Sequence, residues 1–319
     1  MPDRRALVAC PGFIGMVAGQ ATDWIRTEGM NDHAKGILLT TLGVLIISPD
    51  TLLIRLVDMD LWTLAVWRGL LQAIGLGAVL LCVYRRHTWA VFHAIGLVGV
   101  AIAIVFAGAT FTFLAAVEGT TVANTLIILA SSPMFAAVMS LIFLRERVAP
   151  RTWTAIAATA FGIALIVFGS HGPAQLFGDV MAILAAALLA AGWVIVRGRR
   201  QVNMIPALAL SGLVFAGIAG LIVGTPTGPN EAQVFWLLLM GFAVVTPATA
   251  LMTLGPRYIS APEVSLLLLL ESVLGPLWVW LVIDEAPSLW SVIGGAVVLV
   301  TLVVHGLLGA RAARRAAMA

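Results

Sequence analysis

Three ionisable side chains lie inside stretches that are otherwise apolar: Asp50, Arg68 and Glu271. A charge held at the centre of a membrane costs from about 2.5 kcal/mol upward on insertion scales, so a group retained there needs a partner, a water path or a task. Asp50 and Arg68 each lie about seven residues below the end of one of two consecutive apolar stretches, roughly 10 Å at helical rise. An antiparallel hairpin brings equal depths together, so the two can pair. A guanidinium suits planar anions, and the fork that holds a carboxylate can also take a carboxylate, phosphate or sulfonate from outside the chain. The pair reads either as a structural tie between two helices or as the wall of a vestibule where Arg68 exchanges Asp50 for an anionic ligand.

Glu271 falls near the middle of its own stretch. A carboxyl at that depth is suited to taking up and releasing a proton as its surroundings change. The plainer alternative is a permanently neutral Glu, hydrogen-bonded to Ser131, Ser132 or Ser272. Asn124, Ser131 and Ser132 offer neutral hydrogen bonds to an amine or hydroxyl, and serve equally well as packing residues. Proline at 49, 133, 247 and 276 removes backbone donors within four stretches, leaving carbonyls free. Such carbonyls are tolerated only where protein or a watery cavity meets them, so Pro49 beside Asp50 and Pro133 beside Ser132 point to a central cavity. Trp67, Trp193, Trp278 and Trp280 are candidates for its walls, whereas Trp62, Trp89, Trp153, Trp236 and Trp290 fall where membrane-interface tryptophans belong.

The elements that must position these groups follow from composition. Hydrophobic residues make up 61% of the 319 and charged ones 10%, too few charges to cover a water-soluble core of this size. Ten stretches approach or exceed the roughly 20 residues that a spanning helix needs. They run over 36–56, 62–83, 91–116, 121–143, 152–169, 178–196, 206–223, 234–254, 263–283 and 288–308. None alternates apolar and polar as a membrane β-strand does. Small residues recur four apart in some of them, as at Gly99, Ala103 and Ala107, a spacing that lets helix backbones approach. With the N-terminus inside, all of the 18 lysines and arginines except Arg55 and Arg68 fall in cytoplasmic segments, which requires an even number of spans. The expected class is therefore an all-α integral membrane protein with ten transmembrane helices and both termini cytoplasmic. Residues 1–35 read as a cytoplasmic tail, although 1–18 have the pattern of a short signal sequence. Residues 309–319 read as a basic cytoplasmic tail.

The fourth and ninth stretches align without a gap at a register difference of 139, which pairs Ser132 with Glu271 and Arg145-Glu146 with Asp284-Glu285. A tryptophan follows each (Trp153, Trp290), then a small-residue helix (Phe161-Gly162-Ile163-Ala164, Ile293-Gly294-Gly295-Ala296). Five spans per half is odd, so the halves enter the membrane in opposite directions. Ala65-Val66-Trp67-Arg68-Gly69-Leu70-Leu71, Ser132-Pro133 with Leu144-Arg145-Glu146-Arg147, and Leu270-Glu271 with Asp284-Glu285 stand in that order. In these motifs the chain resembles the drug/metabolite transporter superfamily, specifically its EamA-type ten-helix members. Ser272, where a proline is common, and Ile47-Ser48-Pro49-Asp50, where Trp-Gly is usual, depart from the pattern. The resemblance implies EamA-like repeats over 36–170 and 177–308 and a bacterial-type inner membrane. It also points towards amino acids or related organic ions and towards export. The inverted repeat itself argues for alternating access, in export or exchange, and the residues for a substrate site at Asp50, Arg68, Asn124, Ser131, Ser132 and Glu271, with proton coupling at Glu271.

Other classes are less well supplied. Cys10 and Cys82 form no metal or redox pattern, no Walker sequence is present, and no HExxH or GxSxG spacing supports an intramembrane enzyme. A passive channel remains the alternative. The expected partners are a small-molecule substrate and the lipid bilayer, with no cofactor, no metal and no nucleic acid, the chain acting as a monomer or homodimer.

Overall fold

The computed structural model describes residues 32–143, 150–169, 172–197, 204–226, 228–254, 258 and 261–318. Residues 1–31 of the expected 1–35 tail and the Leu144–Arg147 motif lie outside them, and the last four residues of that tail already belong to the first helix. The described chain is helical throughout: α1 (Asp32–Ile47), α2 (Asp50–Val57), α3 (Leu61–Tyr84), α4 (Thr88–Ala94), α5 (Gly96–Gly119), α6 (Val122–Leu129) and α7 (Ser132–Phe143) come first. Then follow α8 (Pro150–Phe168), α9 (Pro173–Arg197), α10 (Ile205–Val223), α11 (Glu231–Leu238), a π-helical segment (Leu239–Val245), α12 (Thr246–Leu254), α13 (Ala261–Ile283) and α14 (Leu289–Met318). Eight helical stretches among the described residues are long and apolar enough to cross a membrane, and Thr152–Phe168 and Leu267–Ile283 are shorter apolar helices.

Several elements differ from the sequence reading, each for a local reason. The third stretch is two helices: Gly96 takes φ 56, which only a residue without Cβ adopts easily, and it turns the chain out of short α4 into α5. The first is broken at Ser48-Pro49, where Pro49 leaves helical geometry with ψ 0 and Asp50 starts α2. The fourth breaks at Ala130-Ser131, just before Pro133. The sixth begins at Pro173, five residues earlier than expected, because proline is favoured in a first helical turn. The last helix continues to Met318, through the segment read as a tail.

Packing relates the two halves by exchange. Second-stretch helix α3 packs on α10, its counterpart in the second half; α8 packs on α14; and α6 packs on α13. At the first crossing a Cβ on Gly69 would lie 2.5 Å from the Gly212 carbonyl oxygen, and one on Gly212 would lie 2.6 Å from that of Gly69. Gly162 and Gly294 repeat this reciprocity at 2.9 and 2.5 Å. Such mirrored approaches are what a two-fold axis between the halves produces. Gln72 adds a polar tie at the first crossing, its Nε2 donating to the Leu208 carbonyl at 3.0 Å.

The connections sort to two ends. At one end Gln233 Nε2 of α11 donates to the Asp58 carbonyl, Glu285 reaches Arg55 and the Val122 amide, and Gly169 lies against Trp290. At the other, Lys35 sits over the Tyr258 ring, and Tyr84, Val91 and Ile95 pack with Met204 and Ile205. Arg85 and Arg86 share that second end, and Arg55 stands at the first.

Candidate functional site

The break at Ser48-Pro49 starts a helix in mid-bundle, and Asp50 occupies its first turn. The free amides there and the helix dipole favour a negative group, so α2 supplies part of the stabilisation that a buried carboxylate needs. Arg68, on α3, supplies the rest. Its Nη1 donates to Asp50 Oδ1 at 2.7 Å and its Nη2 to Oδ2 at 2.8 Å, the two-pronged geometry expected of the pair. Both residues are buried, 3% and 6% exposed, so this is a desolvated ion pair. Nη1 also reaches Met240 Sδ at 3.3 Å, from the π-helical segment, while Nε is buried with no hydrogen-bond partner.

Glu271 stands opposite this pair on α13. One turn further on, a Cβ at Gly275 would lie 3.4 Å from Thr51 Oγ1, which puts α13 directly against α2. Trp278 Nε1 donates to Ser48 Oγ at 3.0 Å and fixes the break from the same helix. The Glu271 carboxyl lies within electrostatic reach of Asp50 and Arg68. Its side chain is half-buried. The serines expected to hold it are engaged elsewhere: Ser272 Oγ donates to the Leu126 carbonyl at 3.0 Å, and Ser131 Oγ to that of Ile128. Ser132 opens α7 and is half-buried.

Asn124 belongs to a different place. Its Nδ2 donates to Asp179 Oδ1 at 3.1 Å and its Oδ1 accepts from Ser291 Oγ, at the end of the bundle where Arg55 and Glu285 meet. The structure thus gathers Asp50, Arg68 and Glu271, leaves Ser131 and Ser132 at the break of the fourth stretch, and assigns Asn124 to a peripheral network. Asp179 and Met240 are absent from the sequence reading. Asp179 falls at the edge of the stretch as read, although an acid between Phe177-Gly178 and Val180 is itself a signal of a buried carboxylate. No comparable signal marks Met240, because its place depends on the π-helical turn. Of the tryptophans, Trp193 packs edge-on against Phe106 and Trp280 is half exposed. Among the described residues, no three of the His, Cys, Asp and Glu side chains come together as metal ligands would.

The EamA-like transporter family model matches residues 34–168 and again 176–306. The chain belongs to the EamA-like transporter family. An EamA-like protein is a multi-pass membrane transporter, and the two matched segments are its two repeats. No curated protein matches this EamA-like chain. A solved structure titled only "Crystal structure of protein" is 17% identical, with a TM-score of 0.64 over 86% of this chain and 98% of its own. That likeness concerns the fold alone.

Proposed function

We propose that this EamA-like protein is a secondary carrier of a small polar or amphiphilic metabolite, an amino acid or a related organic ion, working by export or exchange. The observation that carries the reading is the buried Asp50–Arg68 pair facing partly accessible Glu271 between the two repeats. Midplane polar groups at a repeat interface are where carriers of inverted-repeat build hold their substrate. Arg68 offers its guanidinium to a substrate anion, with Nε not yet engaged, and Glu271 takes an ammonium group or a proton. Binding that draws Arg68 towards substrate weakens its hold on Asp50, so occupancy and helix packing are coupled.

In this reading ten helices cross a bacterial-type inner membrane with both termini cytoplasmic. The clustering of Lys35, Arg85 and Arg86 at one end of the bundle supports that orientation. Energy comes from an ion or substrate gradient, with Glu271 as the proton-coupling residue and Ser131 and Ser132 available as hydrogen-bonding partners at the kink.

The test is uptake of radiolabelled amino acids and organic acids into proteoliposomes, with and without a pH gradient, for the native chain and Glu271→Gln. Saturable flux whose pH response disappears in Glu271→Gln supports a proton-linked carrier. An unchanged pH response removes coupling from Glu271, and unsaturable flux replaces the carrier with a channel.

A further inference from the structure

At the end of the bundle away from Lys35 and Arg85, the two repeats are joined by a continuous polar network. Arg55, near the end of α2, lies 3.3 Å from Glu285 Oε2, and its Nη2 donates to the Thr120 carbonyl at 3.0 Å. Asp284 adopts φ 55, ending α13 in a turn that sends Glu285 back over the bundle, where its Oε1 accepts the Val122 amide at 2.8 Å. Below this, Thr120 Oγ1 donates to Asp179 Oδ1 at 2.8 Å and Asn124 Nδ2 donates to the same oxygen at 3.1 Å. Ser291 Oγ closes the chain on Asn124 Oδ1. Arg55, Thr120, Val122 and Asn124 belong to the first repeat; Asp179, Glu285 and Ser291 belong to the second.

Almost every link is therefore a bond between repeats, and the layer is graded in exposure. Arg55 and Glu285 keep about a quarter of their side-chain surface open, at 28% and 24%, whereas Thr120, Asn124, Asp179 and Ser291 are buried. Water can take over the bonds of the upper pair as it separates. It cannot reach the lower bonds until the repeats have already parted, so they break late and together. Gly119 and Gly178 allow this closeness: a Cβ on Gly119 would lie 2.9 Å from the Gly178 Cα. At the opposite end, Tyr84, Val91 and Ile95 pack with Met204 and Ile205 in an apolar cluster.

We propose that this network is the gate on that face: Arg55–Glu285 is the releasable bolt, and Asp179 the buried anchor that holds the α5–α6 corner against α9. The structure is the state closed to that side, and passage from the Asp50–Arg68–Glu271 region to that side requires the five inter-repeat links to open. The inference rests on the carrier reading for its purpose, while its geometry stands independently.

The experiment uses the full chain with Cys10 and Cys82 replaced by Ser, and Thr51→Cys as a probe beside Asp50, labelled by a membrane-impermeant maleimide from the gate side. Glu285→Gln is expected to speed labelling about tenfold, the effect of moving a two-state equilibrium by one charge-assisted contact. Asp179→Asn should do the same, and the charge swap R55E/E285R should label more slowly than Arg55→Glu alone, in which two carboxylates face each other. Unchanged labelling in folded Glu285→Gln and Asp179→Asn overturns the gate. If those variants fold poorly, Arg55→Cys with Glu285→Cys bridged by a reducible bifunctional thiosulfonate serves instead. Slow labelling of the Thr51→Cys probe that reduction accelerates supports the gate, and labelling indifferent to the bridge overturns it. Labelling is read without substrate, so loss of the carrier reading and loss of the gate are separate outcomes.

Discussion

Arg68 and Asp50 form a pair whose removal by halves and removal as a whole have different consequences. Asp50→Asn leaves a buried guanidinium without its counter-charge, and breaking a buried pair in this way costs about 3–5 kcal/mol. Replacing both by leucine removes the charge problem and often restores or raises stability. The expected outcome is a lower melting temperature in detergent for Asp50→Asn, recovery in the double variant, and loss of flux in both. A double variant that transports normally would show the pair to be only a tie between α2 and α3. That these two residues meet was legible from their equal depth below a shared hairpin. The role of Met240 was not, because an apolar run cannot reveal that its backbone takes an extra residue into one turn.

Among elements, the crossings of α3 on α10 and α8 on α14 depend on glycines whose missing Cβ is the contact. At Gly69 a side chain would meet the Gly212 carbonyl oxygen at 2.5 Å, a backbone atom that cannot swing aside. Gly69→Val should therefore cost at least the roughly 1–3 kcal/mol typical of overpacking, seen as a lower melting temperature. Gly217→Ala has nothing within 4 Å of the new Cβ and should melt at or slightly above the parent temperature. A second element-scale prediction concerns the start of α3, where Asp60 accepts the Thr63 amide at 2.9 Å. That bond, chiefly, holds the Asp60 carboxyl below its usual value. A carboxyl lowered in the folded state contributes stability above its unfolded pKa, near about 4, and loses it as pH falls through the folded value. The melting difference between the native chain and Asp60→Ala should thus be present at about pH 7 and shrink below about pH 4. Sequence showed most of these helices, because unbroken apolar runs of spanning length have few readings. It missed where they break: Pro49 announced its kink, but the Gly96 turn lay hidden inside a run that stayed apolar on both sides.

For the whole molecule, what ties the parts together is packing across the halves: α3 on α10, α8 on α14 and α6 on α13 join counterparts, while α5 on α9 and α1 on α12 join the third stretch to the sixth and the first to the eighth. The match of Ser132 with Glu271 made the repeat visible in sequence, whereas the Asp179 network is built between segments that share no motif. In the carrier proposed above, the halves rock against each other at these two-fold-related crossings. Rocking of this kind only serves transport if the two ends face different compartments, and in the proposed orientation the basic end is cytoplasmic. Arg86 is exposed at the end bearing Lys35 and Arg85, and Gly228 is exposed at the end bearing Arg55 and Glu285. With Cys10 and Cys82 replaced by Ser, Gly228→Cys should react with an impermeant maleimide in intact spheroplasts. Arg86→Cys should react only after the membrane is opened. The reverse pattern would turn the molecule over and place the Arg55–Glu285 layer on the cytoplasmic side. Labelling of both positions in sealed cells would contradict a fixed orientation, and with it the positive-inside argument that places the gate on the outer face.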